Sequence, residues 1–339
     1  MILTVTPNPA LDLAGVVDEI LSDEKNYVQD ETRHPGGNGI NAAQVIARLG
    51  VQVSATGFLG GGTGQEIRSL LDAESVPHQF IPIEGHTRTS VTVSNRKTHR
   101  QTRLSFQGPD ISRAEAKKLE ILVSRLRPPA ILVIGGSLPG KYLPANIVSL
   151  AKQARSRSVS VFVDVPGKLL APMVSAGPHL VKPNLSEFCD LIQKKVETTE
   201  EVLKEARSLL SLKRIPILCV SSVQGGALFV TPQGAWFGRG PRVRAMSSVG
   251  AGDSMVGAMT AQIWKEKLIL RSGIDLNALE VKAETVFRWG LAAAMATVIT
   301  PGTQLGTRNQ IEAFLEKIEI TRINVAGKSR QRRGRRGSQ

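Results

Sequence analysis

Residues 247–259, SSVGAGDSMVGAM, place an aspartate directly after a glycine-rich stretch and directly before an apolar helical pattern. Gly250 and Gly252 permit a tight turn with close backbone approach, Val249 closes an extended segment, and from Ser254 onward Met255, Val256, Met259 and Ile263 recur at helical spacing. Unpaired N–H groups at such a helix start, together with the positive end of the helix dipole, make a site for phosphate. Gly250, Ala251 and Gly252 would then offer N–H groups to the anion, and Asp253 would face it as a base. Taken alone, the same spacing also describes an ordinary N-terminal cap.

Three other stretches carry residues of chemical interest. Asp12 follows the first strand, where open α/β sheets place ligand residues, and a carboxylate there accepts two hydrogen bonds from a diol. In PGGNGIN, residues 35–41, Gly37, Gly39 and Ala42 fit the dinucleotide fingerprint G-x-G-x-x-A, but the preceding DETRHP is polar and forms no buried strand, which excludes a nicotinamide-cofactor reading. Asn184 and Glu187 stand three apart at the start of a short helix, the spacing of a capping box. The glycine-rich loop at 58–64 lacks a Gly-Lys-Ser/Thr and is no Walker A site.

The elements that must position these residues alternate along the chain. Strands are expected at 2–6, 51–57, 130–134, 159–163 (ending in Asp164) and 215–221, with a hairpin at 227–230 and 235–237. Helices are expected at 41–49, 65–73, 146–155, from Ser254 onward and at 284–298. Alternation of this kind predicts an α/β fold with a doubly wound, mostly parallel sheet. Segments 12–34 and 87–107 have weak alternation and many charges, which suits short strands outside that sheet. The chain of 339 residues is 41% hydrophobic, enough for a substantial core, and holds no apolar run of about 18 residues. The N-terminus enters a strand with no basic leader, and Cys189 and Cys219 show no metal or disulfide spacing, so a reducing cytoplasm fits. Net charge is +14; removing the six cations of residues 328–339 leaves +8, a body suited to anionic substrates. The tail at 321–339 reads as basic and disordered, with a nucleic-acid contact as its minor reading.

Residues 247–259, PGGNGIN at 35–41 and VKPNLSEF at 181–188, in that family's order, resemble the PfkB or ribokinase-like family of sugar kinases, and within it the hexose-phosphate branch. The resemblance covers residues 1–316. It implies one kinase unit at 1–320 with a small β-sheet lid from 12–34 and 87–107, a lid that pairs with that of a second subunit. It implies ATP-dependent phosphorylation of a ketohexose phosphate, fructose 6-phosphate first, with 1-phosphofructokinase or tagatose-6-phosphate kinase chemistry as the alternative and a non-catalytic nucleic-acid-binding relative as the alternative of another class. Asp253 becomes the base and Gly250, Ala251 and Gly252 the anion hole. The sugar phosphate falls to Asp12, Lys25, Gly36, Gly37, Asn41, Arg88, Arg103 and Ser137. The nucleotide falls to Lys182, Asn184, Ser221, Gly226 and Gly302, with Mg²⁺ placed by Asn184 and Glu187, partly through water. Gly302 and Thr303 match an adenine and monovalent-cation (K⁺) environment. Three residues depart from the pattern: Asn38 replaces the lysine common in 1-phosphofructokinases, Val223 a glycine, and Gln304 an arginine.

Overall fold

The structure is a computed structural model that describes residues 1–323 apart from His99. Its organising strand is Ile2–Thr6, whose five residues are all buried. It pairs in parallel with Val53–Leu59 on one side and Ile131–Gly135 on the other. Beyond the latter come Ser160–Asp164, Leu180–Val181 and Ile217–Val223, all parallel. Three antiparallel strands, Gly226–Val230, Ala235–Arg239 and Glu319–Arg322, close that edge. Ile81–Pro82 ends the other, making ten strands in all.

Successive side chains of a strand point to opposite faces, and here both faces are covered. Ile131 and Val133 join one core cluster with Val45, Ile46, Met259 and Phe287, while Leu132 and Ile134 join another with Leu119, Leu150, Leu170 and Phe188. The sheet is doubly wound, as expected. On the first face, helix Ala251–Lys265 lies between Asn38–Arg48 and Leu276–Val298. Contact is close because glycines stand at the crossings: a Cβ on Gly257 would meet the Ala42 carbonyl oxygen at 2.8 Å, and one on Gly290 would meet Met259 at 2.7 Å. This packing brings the starts of Asn38–Arg48 and Ala251–Lys265 together.

A separate four-stranded sheet runs Gln29–Gly36, Ala10–Val17, Arg88–Asn95, Gln101–Ser105. It corresponds to the expected lid segments, with one correction. Asp12 does not follow the end of a main-sheet strand; it lies inside Ala10–Val17, opposite Ser90. Helix starts also differ. Asn38–Arg48, Gly61–Ala73 and Ala251–Lys265 each begin three or four residues before the expected point. Glycine reads as a breaker because it weakens helix interiors, but in a first turn its N–H has no intrahelical partner to lose, so the helices start within the glycine-rich stretches. Residues 240–250 run as a loop without a ladder partner, not as a strand. The edge strand Glu319–Arg322 carries the fold past residue 320, and Ile323 N–H still bonds Ala235 O at 2.8 Å. The rest of the basic tail, 324–339, lies outside the described residues. Among the described residues no helix is long and apolar enough to cross a membrane.

Candidate active site

Gly250 caps helix Ala251–Lys265 in the left-handed region, at φ 75°, which a side chain rarely adopts. The turn exposes the first N–H groups of the helix, and Ser254 N–H is the first to bond back, to Gly250 O at 2.8 Å. Two cavities meet at this turn. One, of about 210 Å³, is lined by Val249 and Asp253 from the turn, by Gly37, Asn38 and Asn41, and by the small sheet. The other, of about 600 Å³, touches the same turn from the opposite side, at Ser248, Ala251 and Gly252.

The smaller cavity owes its polarity to strand register. Ala10 pairs with Arg88 and Asp12 with Ser90, while Thr92 pairs with Arg103, so residues two apart put Asp12, Arg88, Ser90, Thr92, Arg103 and Ser105 around one chamber. Burial pushes the Asp12 carboxyl up to about 6 against the pull of Arg88 and Arg103. Arg88 donates to Asn8 O at 3.1 Å and Phe106 O at 3.3 Å, and its buried Nε has no acceptor; neither does Thr303 Oγ1 on the same wall. Two guanidinium groups, Arg88 and Arg103, on the wall of one confined chamber suit an anion. Arg88 and Ser105 also line an adjoining cavity of about 540 Å³ with Ser137, whose hydroxyl is held by Asn8 at 3.1 Å.

Gly36 sits behind Asp12, so close that any Cβ would clash with both carboxylate oxygens. Gly36→Ala is therefore expected to displace that carboxylate and raise KM for a sugar substrate at least ~10-fold, about 1.4 kcal/mol, with KM for ATP unchanged. Initial-rate titration of each substrate checks it; equal shifts in both KM values would separate Gly36 from Asp12.

In the larger cavity, Met255, Leu291, Ala294, Met295 and Val298 form an apolar wall, facing Lys182, Asn184, Ser221, Ser222, Gly225 and Gly226. That pairing suits a planar base on one side and phosphates on the other. Val223 is buried, and the neighbouring Ser222, Gln224 and Gly225 take the positive φ angles of the turn, so the departure from glycine is absorbed. Asn184 and Glu187 form a capping box: Glu187 N–H donates to Asn184 Oδ1 and Asn184 N–H to Glu187 Oε2, both at 2.9 Å. The box holds the carboxylate still and leaves its second oxygen free. Among the described residues no group of three His, Cys, Asp or Glu side chains could hold a metal. Asn184 lines the larger cavity and Glu187 stands behind it in the box; one fixed carboxylate with an amide suits Mg²⁺, which keeps several waters and takes its other ligands from phosphates.

Asp253 sits where the cavities meet. Asn41 Nδ2 donates to its Oδ2 at 2.7 Å, which commits the Asn41 amide to the aspartate. Burial first, then the neighbouring Asp164 carboxylate, raise Asp253 to about 7, while Asn41 and Lys182 oppose the rise. Burial works to lower the Lys182 ammonium, but Asp164 and Asp253 outweigh it and hold it above its ordinary value.

Most of the expected residues thus gather around one helix turn. Two do not. Lys25 is exposed in the loop between Val17 and Gln29 and lines neither cavity. Gly302 lines a different cavity, with Arg96, Gln101 and Arg244, whereas its neighbour Thr303 faces the smaller chamber. The two therefore do not share one environment. Gln304 lies in yet another cleft, with His34, Arg48 and Arg308. The helix expected at 284–298 does close over the larger cavity, through Leu291, Ala294, Met295 and Val298; the buried Asp164 was given no role. Asp164 was detectable, since it ends a buried strand of a parallel sheet.

A glycine-rich helix start with a buried carboxyl, set between a chamber lined by two arginines and a larger half-apolar one on a doubly wound sheet, has a layout suited to phosphoryl transfer. Residues 8–310 match the family described as pfkB family carbohydrate kinase, and this chain belongs to that family. It is 32% identical over 320 residues to the ATP-dependent 6-phosphofructokinase isozyme 2 of Escherichia coli, covering 93% of this chain and 99% of the relative. It is 29% identical over 323 residues to the 1-phosphofructokinase of Bacillus subtilis, covering 95% and 100%. Among solved structures, phosphofructokinase-2 from Escherichia coli in complex with substrates and products superposes with a TM-score of 0.85 at 31% identity, covering 93% of this chain and 98% of that one. The protein is a carbohydrate kinase.

Proposed function

We propose that this protein transfers the γ-phosphoryl group of ATP to a ketohexose phosphate, with fructose 6-phosphate as acceptor and fructose 1,6-bisphosphate as product. The observation that carries the reading is the shared helix turn, with Asp253 open to the chamber of Arg88 and Arg103 and the Ala251 and Gly252 backbone open to the nucleotide cavity. Relatives named as 1- and 6-phosphofructokinases support a fructose phosphate as substrate. Asn38 on the chamber wall, where 1-phosphofructokinases commonly carry lysine, favours the 6-phosphate.

In-line transfer needs positioning and neutralised charge more than covalent help from the protein. Arg88 and Arg103 hold the phosphate already on the sugar, and Asp12 accepts from its hydroxyls. Asp253 takes the proton of the attacking hydroxyl as its oxygen bonds to the γ-phosphorus and the bond to the ADP oxygen breaks. N–H groups of Gly250, Ala251 and Gly252 meet the charge developing on the phosphoryl oxygens, worth ~2.7–4 kcal/mol for a well-placed donor in comparable sites. Lys182 adds a fixed positive charge at the boundary. Glu187 and Asn184 would hold Mg²⁺, which supplies charge neutralisation on the triphosphate. The small sheet acts as a lid that excludes water. Tyr27, Val28, Leu104 and Phe106 leave an apolar surface on it, which supports pairing with a second copy's lid. Two free cysteines and the lack of a paired spacing suit a cytoplasmic setting.

An ADP-release assay with Mg-ATP and, in parallel, fructose 6-phosphate, fructose 1-phosphate, tagatose 6-phosphate and fructose tests the reading. The expected order puts fructose 6-phosphate first in kcat/KM by at least ~10-fold. Preference for another ketose phosphate would keep the mechanism and replace the substrate. Turnover of fructose alone would remove Arg88 and Arg103 from their roles.

A further inference from the structure

Asp164 ends the strand Ser160–Asp164, and no step of the transfer uses it. Its side chain is 8% exposed and that of Lys182 5%, with Lys182 Nζ 3.2 Å from Asp164 Oδ1. The pair is anchored through backbone. Asp164 O accepts from Gly136 N–H at 3.0 Å and from the Asn38 amide at 3.3 Å, and Lys182 N–H bonds Val163 O at 3.0 Å. Lys182 also lies against the helix turn, since a Cβ on Gly252 would stand 2.9 Å from its Nζ. The second carboxylate oxygen, Oδ2, is buried without a donor, and Asp253 is the carboxyl group beside it. The groups facing Lys182 are thus Asp164, Asp253 and the Cys219 thiol, and those facing Asp253 are Asp164, Asn41 and Lys182.

We infer that Asp164 is a positioning residue for phosphoryl transfer: it pins the Lys182 ammonium against the first turn of Ala251–Lys265, between the two cavities, and presents its free oxygen to Asp253. This rests on the kinase reading of the site. A lysine has a long stem whose ordering costs side-chain entropy, and an untethered ammonium this close to Asp253 would pair with the base and hold it as an inert ion pair. With Asp164 as its standing partner, Lys182 can meet an incoming phosphate while the base stays available. The same like charge helps to keep Asp253 in the range of a working base.

Asp164→Asn in the full chain tests this through kcat, KM, the pH profile of kcat/KM and thermal melting. Expected are a fall in kcat of at least ~10-fold, a KM for the sugar phosphate within about threefold of wild type, and an acid limb displaced to lower pH because the like charge is gone. Melting should drop, since the buried Lys182 ammonium loses the carboxylate 3.2 Å from it. The double variant Asp164→Asn/Lys182→Met should melt higher than Asp164→Asn and lose no more kcat than Lys182→Met alone, because the two residues act as a unit. An unchanged kcat and acid limb in a folded Asp164→Asn would overturn the inference, as would losses that multiply in the double variant. If Asp164→Asn does not fold, the comparison of Lys182→Met with the double variant decides. A wild type that phosphorylates no sugar phosphate takes down the kinase reading, and this inference with it.

Discussion

Replacing Asp253 by asparagine is expected to lower kcat at least ~100-fold while KM for both substrates stays within about threefold, the low end of what a positioned general base contributes. Asparagine keeps the shape of the side chain and an oxygen able to accept from Asn41, so the 2.7 Å contact survives and the proton acceptor alone is lost. The pH profile carries the sharper test. Buried beside Asp164, the carboxyl is raised to about 7 in the free protein, so wild-type kcat/KM should fall tenfold per pH unit below that point, as the carboxylate is protonated. Asp253→Asn should show no such limb. Stability should move the other way. A carboxyl raised above its unfolded value contributes stability that is fully present below about pH 4 and is lost as pH rises through about 7. At pH 8 the variant is therefore expected to melt above wild type, with the difference closing on acidification. Near-wild-type turnover in a folded Asp253→Asn would leave the aspartate as a helix-terminal residue and nothing more.

The turn at Gly250 and the helix it opens were legible in the amino-acid order because glycine spacing, an aspartate and an apolar helical stripe each constrain the same few residues. The sheet was legible too, since strands buried on both faces read as continuous Val/Ile/Leu runs such as 130–134. Asp12 was read as following a main-sheet strand, not as lying inside Ala10–Val17, because Pro7, Asn8 and Pro9 break the first strand, and no local signal says that the chain re-enters an extended conformation at Ala10. Asn184 and Glu187 show why spacing alone cannot separate two readings. The capping box and a metal-facing carboxylate use different oxygens of one side chain, and the structure contains the first while leaving room for the second. Asp164 belongs to a pair whose members lie 18 positions apart in sequence, so only the parallel pairing of Ser160–Asp164 with Leu180–Val181 brings it to Lys182.

Arg88→Ala is expected to raise KM for the sugar phosphate ~10–100-fold with kcat within about threefold, the loss of a charge-assisted contact of ~1.5–3 kcal/mol. The guanidinium is already steadied by Asn8 O and Phe106 O, so it meets a phosphate without much further ordering. Arg88→Lys should recover little, because a point charge on a flexible stem cannot reproduce the planar fork. A second consequence follows from Asp12. Burial raises its carboxyl to about 6 and Arg88 is the larger of two cations holding it down, so removing Arg88 lets it rise further. A protonated Asp12 accepts fewer hydrogen bonds from a sugar diol, so the KM defect of Arg88→Ala should widen as pH falls from 8 to 6, more steeply than any drift in wild type. Isothermal titration of fructose 6-phosphate at the two pH values separates this from an effect on turnover. A defect of equal size at both pH values would break the link to Asp12 while leaving Arg88 as a phosphate ligand, and an unchanged KM would remove Arg88 from the substrate chamber.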